Sequence, residues 1–145
     1  MPNCFCGTSS NRAPEVKYVG IHKDPSVIGD LYEVVVEREG QKPYRLNSRT
    51  DIVNHSPTGV CWGYYGSGPA QLALAILVDY LTEGDQRPYA RSEYNDPIIE
   101  RALSLYQDFK VSVIGCLSMD SGWELTDRDV ENAITKLTIK QMQEL

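Results

Sequence analysis

WGYYGSGPAQLALAIL, residues 62–77, sets a cluster of glycines and aromatics directly before a long apolar run. Gly68 reads as a helix N-cap and Pro69 as the first helical residue, where its missing N–H costs nothing. Gln71 falls three residues after that cap, where a glutamine can reach back to the cap's N–H. The spacing predicts a helix from about Pro69 to Leu81. Between Ala70 and Leu81 only Gln71 and Asp79 are strongly polar. A helix that is apolar on nearly every side must be buried on nearly every side. Two arrangements would do this. In one, a second subunit packs on helix 69–81, with Ala70, Ala73 and Ala75 permitting close approach, and the protein is a homo-oligomer. In the other, the chain's own sheet and helices surround it.

Outward from this helix, VKYVGIH (16–22) reads as a strand and DLYEVVVE (30–37) as a stronger one, with alternation around three valines. REGQ supplies a turn and KPYRLN (42–47) returns as a third strand, giving a hairpin. Residues 48–68 hold many turn formers and form a long loop of the kind that often carries function. Residues 82–96 read as an exposed polar excursion. A second helix starts near Asp96, with Pro97 in its first turn and Ile98, Ala102, Leu105 and Phe109 on one apolar stripe. KVSVIGCL (110–117) reads as the fourth strand. Thr126 is the expected N-cap of a last helix, with Asp127 and Asp129 at its positive end and Val130, Ile134 and Leu137 buried. The predicted order is β-β-β-α-α-β-α. The fold class is α+β, a small antiparallel sheet of about four strands packed by three helices. Residues 1–14 read as a flexible N-terminal extension and 15–145 as a single domain.

Composition narrows the function classes. With 20 acidic and 14 basic residues the formal charge is −6, against a general nucleic-acid binder, which needs clustered Lys and Arg. No apolar stretch approaches the ~20 residues that span a bilayer, and no signal peptide is visible, so a cytoplasmic protein without membrane association is expected. Cys4, Cys6, Cys61 and Cys116 lack zinc-site spacing, so free thiols are expected, with no metal and no cofactor.

Several residues could carry chemistry. The start of the 69–81 helix, with Ser67, Gly68 and Ala70, could hold a phosphate or carboxylate on its free N–H groups. A plain helix cap explains Gly68, Pro69 and Gln71 completely without a ligand and is the favoured reading of the two. No lysine follows Gly68, so the P-loop pattern is missing; the third glycine of the dinucleotide fingerprint and the nucleophile elbow are missing too. His55 beside Ser56 could be a general base, or both could bond the loop's own backbone. Trp62, Tyr64 and Tyr65 could stack on a planar base or form the lid of the core. Arg45, Arg49, Arg87 and Arg91 lie in or near loops and could clamp a phosphate, or be solvated charges.

The segment LNSRTDIVNHSPTGVCWGYYGSGPAQLALAILVDYL (46–81) resembles the signature of a small family of proteins from phages, prophages, plasmids and bacteria. That signature runs N-H-S-P-x-G-F-x-W-G-Y-x-G-S-G-P-A-x-L-A-L-x-I-L, followed later by Y-Q-x-F-K and W-x-L-T. Here Val60 stands in place of its phenylalanine, and Tyr65 where glycine often stands. The resemblance carries no catalytic residue. Its association with mobile elements implies host interaction or counter-defence, like that of phage nucleotide sponges. The expected function is therefore non-enzymatic sequestration of a phosphorylated small molecule, such as a cyclic nucleotide or ADP-ribose-like immune signal, in the host cytoplasm. The expected contacts are Trp62, Tyr64, Tyr65, Ser67, Gly68, Ala70, Arg87, Arg91 and His55. The alternatives are a small hydrolase or transferase using His55, and a module that docks on a host protein.

Overall fold

Alternation along two neighbouring segments builds the sheet on which everything else rests. Val16, Tyr18, Val34 and Val36 are buried, while Lys17, Val19, Glu33, Val35 and Glu37 point to the other face. These residues form β1 (Val16–His22) and β2 (Tyr32–Arg38), antiparallel with Tyr18 opposite Val36. The computed structural model describes residues 14–26, 28–29, 31–89 and 96–144. The expected extension, with Cys4 and Cys6, therefore lies outside the described residues, apart from Pro14.

Four antiparallel strands stand in the order β3-β2-β1-β4, and three helices cover one face, an α+β fold. β3 is reduced to Tyr44–Arg45, and α1 spans Ser67–Leu81, α2 Pro97–Ser112 and α3 Asp127–Gln143. The fourth strand is not 110–117. α2 continues through Ser112, a 3-10 turn follows at Ile114–Cys116, and β4 is Trp123–Thr126. The apolar residues of 110–117 serve helix packing instead: Ile114 is fully buried, as is Phe109 just before it. What fixes β4 is a close approach. The Trp123 indole covers Gly20 in β1 so tightly that a Cβ there would lie 2.2 Å from the ring. A glycine inside a strand marks such contacts.

α1 runs through the middle of the core. Every residue from Gly68 to Asp79 is buried, in one apolar cluster with Tyr18, Val34 and Val36 of the sheet and Ile99, Ala102, Leu105 and Phe109 of α2. The surface that a second subunit was expected to cover is thus already covered by this chain, and Ala70, Ala73 and Ala75 face their own neighbours. Each buried leucine, isoleucine or valine of α1 contributes roughly 1.5–3 kcal/mol of transfer free energy.

The helix ends follow local chemistry. Asp96 caps α2 by accepting from Ile98 N at 2.9 Å. Thr126 and Asp129 form the reciprocal capping box of α3. On α2 it is Ile99 that is buried, while Ile98 is 43% exposed, one position away from the expected stripe. α1 begins earlier than its sequence indicates. Its cap is Gly66, without a side-chain bond, and Pro69 sits third in the first turn. Gln71 is thereby too far along to return to the cap, and its amide is used elsewhere.

Candidate functional site

α1 carries one polar side chain near each end, and each organises its surroundings. A buried polar group must find partners or cost stability. Near the N-terminal end, Gln71 Oε1 accepts from the backbone N–H of His55 (2.7 Å) and Ser56 (3.2 Å). Its Nε2 donates to the carbonyls of Ser48 (2.6 Å) and Val53 (2.9 Å). One amide thus uses both donors and both acceptor positions to hold the 48–56 loop. His55 Nε2 lies 2.7 Å from the Tyr106 hydroxyl, and Ser56 is buried. Among the described residues no hydrogen bond joins His55 to Ser56 Oγ or Ser67, so no nucleophile–base pair is assembled there.

The aromatics divide. Trp62 is completely buried, edge-on to Tyr32 and Trp123, with its indole N–H donating to Ser121 O at 3.1 Å. It is a core residue with no face to offer a ligand. Tyr64 and Tyr65 are 40% and 60% exposed. The Tyr64 ring lies over Gly66, and its hydroxyl, with Cys61, closes over Gly68, where an added Cβ would meet Cys61 Cβ at 2.8 Å. Tyr65 packs on Gly115. Ser67 is exposed, whereas Gly68 and Ala70 are buried under this roof. The start of α1 is filled by its own loop.

Towards the other end of α1, eight residues on and about 12 Å away at ~1.5 Å per residue, the chemistry is ionic. Asp79 is 3% exposed and accepts from Tyr18 Oη (2.8 Å), Tyr44 Oη (2.7 Å), Arg38 Nη2 (2.7 Å) and Gln86 Nε2 (3.2 Å). Burial, reinforced by the bond to Asp79, pushes the Tyr44 hydroxyl up to about 12. Tyr18 is raised further, first by burial and then by the charge of Asp79. This cluster stitches α1 to β1, β2 and β3.

Beside it lies a polar cavity of about 150 Å³, lined by Arg49, Thr82, Asp85, Arg87, Tyr89 and Asp96 among others. The loop after β3, the C-terminal end of α1 and the N-terminal end of α2 close it. Arg49 is 4% exposed and holds a left-handed backbone at φ 61°, a conformation that costs a non-glycine residue roughly 1 kcal/mol or more. Its Nη1 donates to Asp85 O at 3.2 Å. Its Nε lies 3.2 Å from Asp51 Oδ1, off the line of the N–H bond, so this buried donor completes no hydrogen bond among the described residues. Asp51 also accepts from Tyr89 N at 2.6 Å and draws that tyrosine inward, so the 82–96 segment is not wholly an exposed excursion. Arg87, at the rim, grips the Asp85 carboxylate with Nη2 at 2.7 Å and Nε at 3.0 Å, and this pairing holds Asp85 down to about 2.

A family model matches residues 29–101, just over half of the chain. The chain belongs to DUF6166, a family of unknown function. No curated protein and no solved structure matches the sequence. The DUF6166 segment contains Gln71, Asp79 and every cavity residue named above, and excludes β1, β4, all of α3 and most of α2.

Of the residues expected to bind a ligand together, only Arg87 lines this cavity. His55, Trp62, Tyr64, Tyr65, Ser67, Gly68 and Ala70 gather at the opposite end of α1, and Arg91 lies outside the described residues. The sequence sets Arg49 no higher than its neighbours, marks Asp79 only as a polar residue of the apolar helix, and gives Arg38 and Tyr44 no role. One signal could have found the cluster: two polar residues in an otherwise apolar buried helix require partners from other elements. Among the described residues, no group of three or more His, Cys, Asp or Glu side chains is placed to hold a metal ion, and no helix is long and apolar enough to cross a membrane.

Proposed function

We propose that the protein is a non-enzymatic binder of a phosphorylated small molecule, and that the ligand's phosphate enters the cavity at the C-terminal end of α1. The observation that carries this reading is the buried Arg49 guanidinium in a partly open polar cavity, with Arg87 at its rim. Guanidinium groups pair with phosphate through charge-assisted, two-pronged bonds. The first turn of α2, whose Asp96 and Ile99 border the space, adds the positive end of a 16-residue helix. A volume of about 150 Å³ suits a single phosphate group rather than a whole nucleotide, since ligand pockets for larger molecules run to roughly 300–1,000 Å³. The rest of the ligand would lie outside. The resemblance to proteins of mobile elements supports a nucleotide immune signal, cyclic or ADP-ribose-like, held without turnover as a counter-defence.

The test is retention of intact ligand. The protein is incubated with a panel of cyclic nucleotides, ADP-ribose and inorganic phosphate, then desalted and denatured, and the released compounds are identified. Recovery of one unaltered compound, lost in Arg49→Met, is the expected result. Recovery of an altered compound makes the protein an enzyme, and no retention of any compound rejects the binding reading.

A further inference from the structure

Asp85 occupies a position that the rest of the cavity leaves unexplained. Its carboxylate takes Arg87 by three contacts of 2.7–3.2 Å, while its backbone carbonyl takes Arg49 at 3.2 Å. One residue therefore engages both arginines. Among the described residues the charges gathered here are Arg49 and Arg87 against Asp85, Asp96 and Asp51, the last committed to Arg49 and Tyr89 N. An incoming anion gains little from such a site unless one of the acids yields. Asp96 is committed as the N-cap of α2. Asp85 is held through its pair with Arg87, whose side chain is 86% exposed, and pairs exposed to water are weak and easily exchanged.

We infer that Asp85 is a built-in competitor for Arg87, an internal anion that a phosphate ligand displaces. This rests on the reading of the cavity as a phosphate site. Because the competitor is tethered two residues from its arginine, its effective concentration is high, and only a ligand that also engages Arg49 wins. Asp85 thus sets a threshold: weak single-charge anions such as acetate or chloride fail to dislodge it, while a phosphate that bridges both guanidinium groups succeeds. The backbone anchors of the segment, Arg49 to Asp85 O and Arg87 N to the Asp85 side chain, keep the loop in place during the exchange.

The experiment measures inorganic phosphate binding to the full chain and to Asp85→Asn by equilibrium dialysis. In parallel, the Arg87 Nε–H resonance of the unmodified protein is followed by NMR as phosphate is added. The expected result is about fivefold tighter binding by Asp85→Asn, with the Arg87 resonance moving saturably in the unmodified protein. If the unmodified protein binds phosphate but Asp85→Asn binds no more tightly, the competitor role is overturned while the phosphate site stands. If neither protein binds phosphate, both fall. Should Asp85→Asn not fold, the Arg87 resonance decides alone, and a resonance unmoved at saturation overturns the competitor.

Discussion

The two ends of α1 solve the same problem in opposite ways. Near the N-terminal end a neutral amide, Gln71, uses its full hydrogen-bonding capacity on the backbone of one loop, and Tyr64 and Cys61 roof the first turn. At the C-terminal end a buried carboxylate, Asp79, gathers an arginine, two tyrosines and Gln86 from four other segments. A satisfied amide in a tightly packed loop leaves no donor for a guest. The ionic end differs because long guanidinium side chains bridge gaps instead of filling them. There a cavity remains, with a buried Arg49 donor that completes no hydrogen bond among the described residues. The most conspicuous motif of the chain is therefore its most self-contained region.

The largest effect that tests this contrast is expected from Asp79→Ala. It leaves the Tyr18 and Tyr44 hydroxyls without their acceptor and the half-buried Arg38 without its carboxylate, and denaturant unfolding should show a loss of about 3–5 kcal/mol. A loss below about 1 kcal/mol would remove Asp79 as the organiser of that end. Gln71→Leu comes next, at about 3 kcal/mol, because it strands two buried N–H groups and two carbonyls that water reaches only in part.

A smaller effect lies in alkali. Tyr44 and Tyr80 are held up to about 12, each chiefly by burial, Tyr44 with the help of Asp79 and Tyr80 of Glu131, and Tyr18 is higher still. Raised values mean that the native state keeps these phenols neutral where the unfolded chain ionises them. Their contribution is complete below about pH 10 and is lost as pH rises towards 12. Absorbance at 295 nm should show the tyrosines of the ionic end ionising together with unfolding. An early, unfolding-independent ionisation of all nine tyrosines would contradict their burial. The smallest effect is acidic. Asp85 titrates near 2 in the native state, against 3.8 unpaired, so its contribution is present above about pH 4 and is lost as pH falls through 2. The stability difference between the unmodified protein and Asp85→Asn should therefore shrink between pH 4 and pH 2.

Much of the fold was legible locally. The strands at 16–22 and near 32–38 follow from period-two alternation, and the caps Asp96 and Thr126 follow from short side chains beside helical runs. The fourth strand was misplaced because KVSVIGCL has the composition of a strand, while the true β4 is four residues long and is held by Trp123 on Gly20. Nothing within either segment announces that contact. The site was less legible still. Arg49 and Arg87 are 38 positions apart in sequence, and what distinguishes Arg49 from its neighbours is burial, which the sequence does not display.

By itself the sequence determined that α1 is buried on all sides, because an apolar helix has no stable alternative in water, and that the fold pairs a small antiparallel sheet with helices. Tertiary structure alone decided what buries it: the chain's own sheet and helices rather than a second copy. It alone decided the roles of Gln71 and Asp79, since the partners of a buried polar group come from segments distant in the chain. And it alone closed the glycine-rich start of α1 under its own tyrosine and left a polar cavity beside Arg49 past the far end.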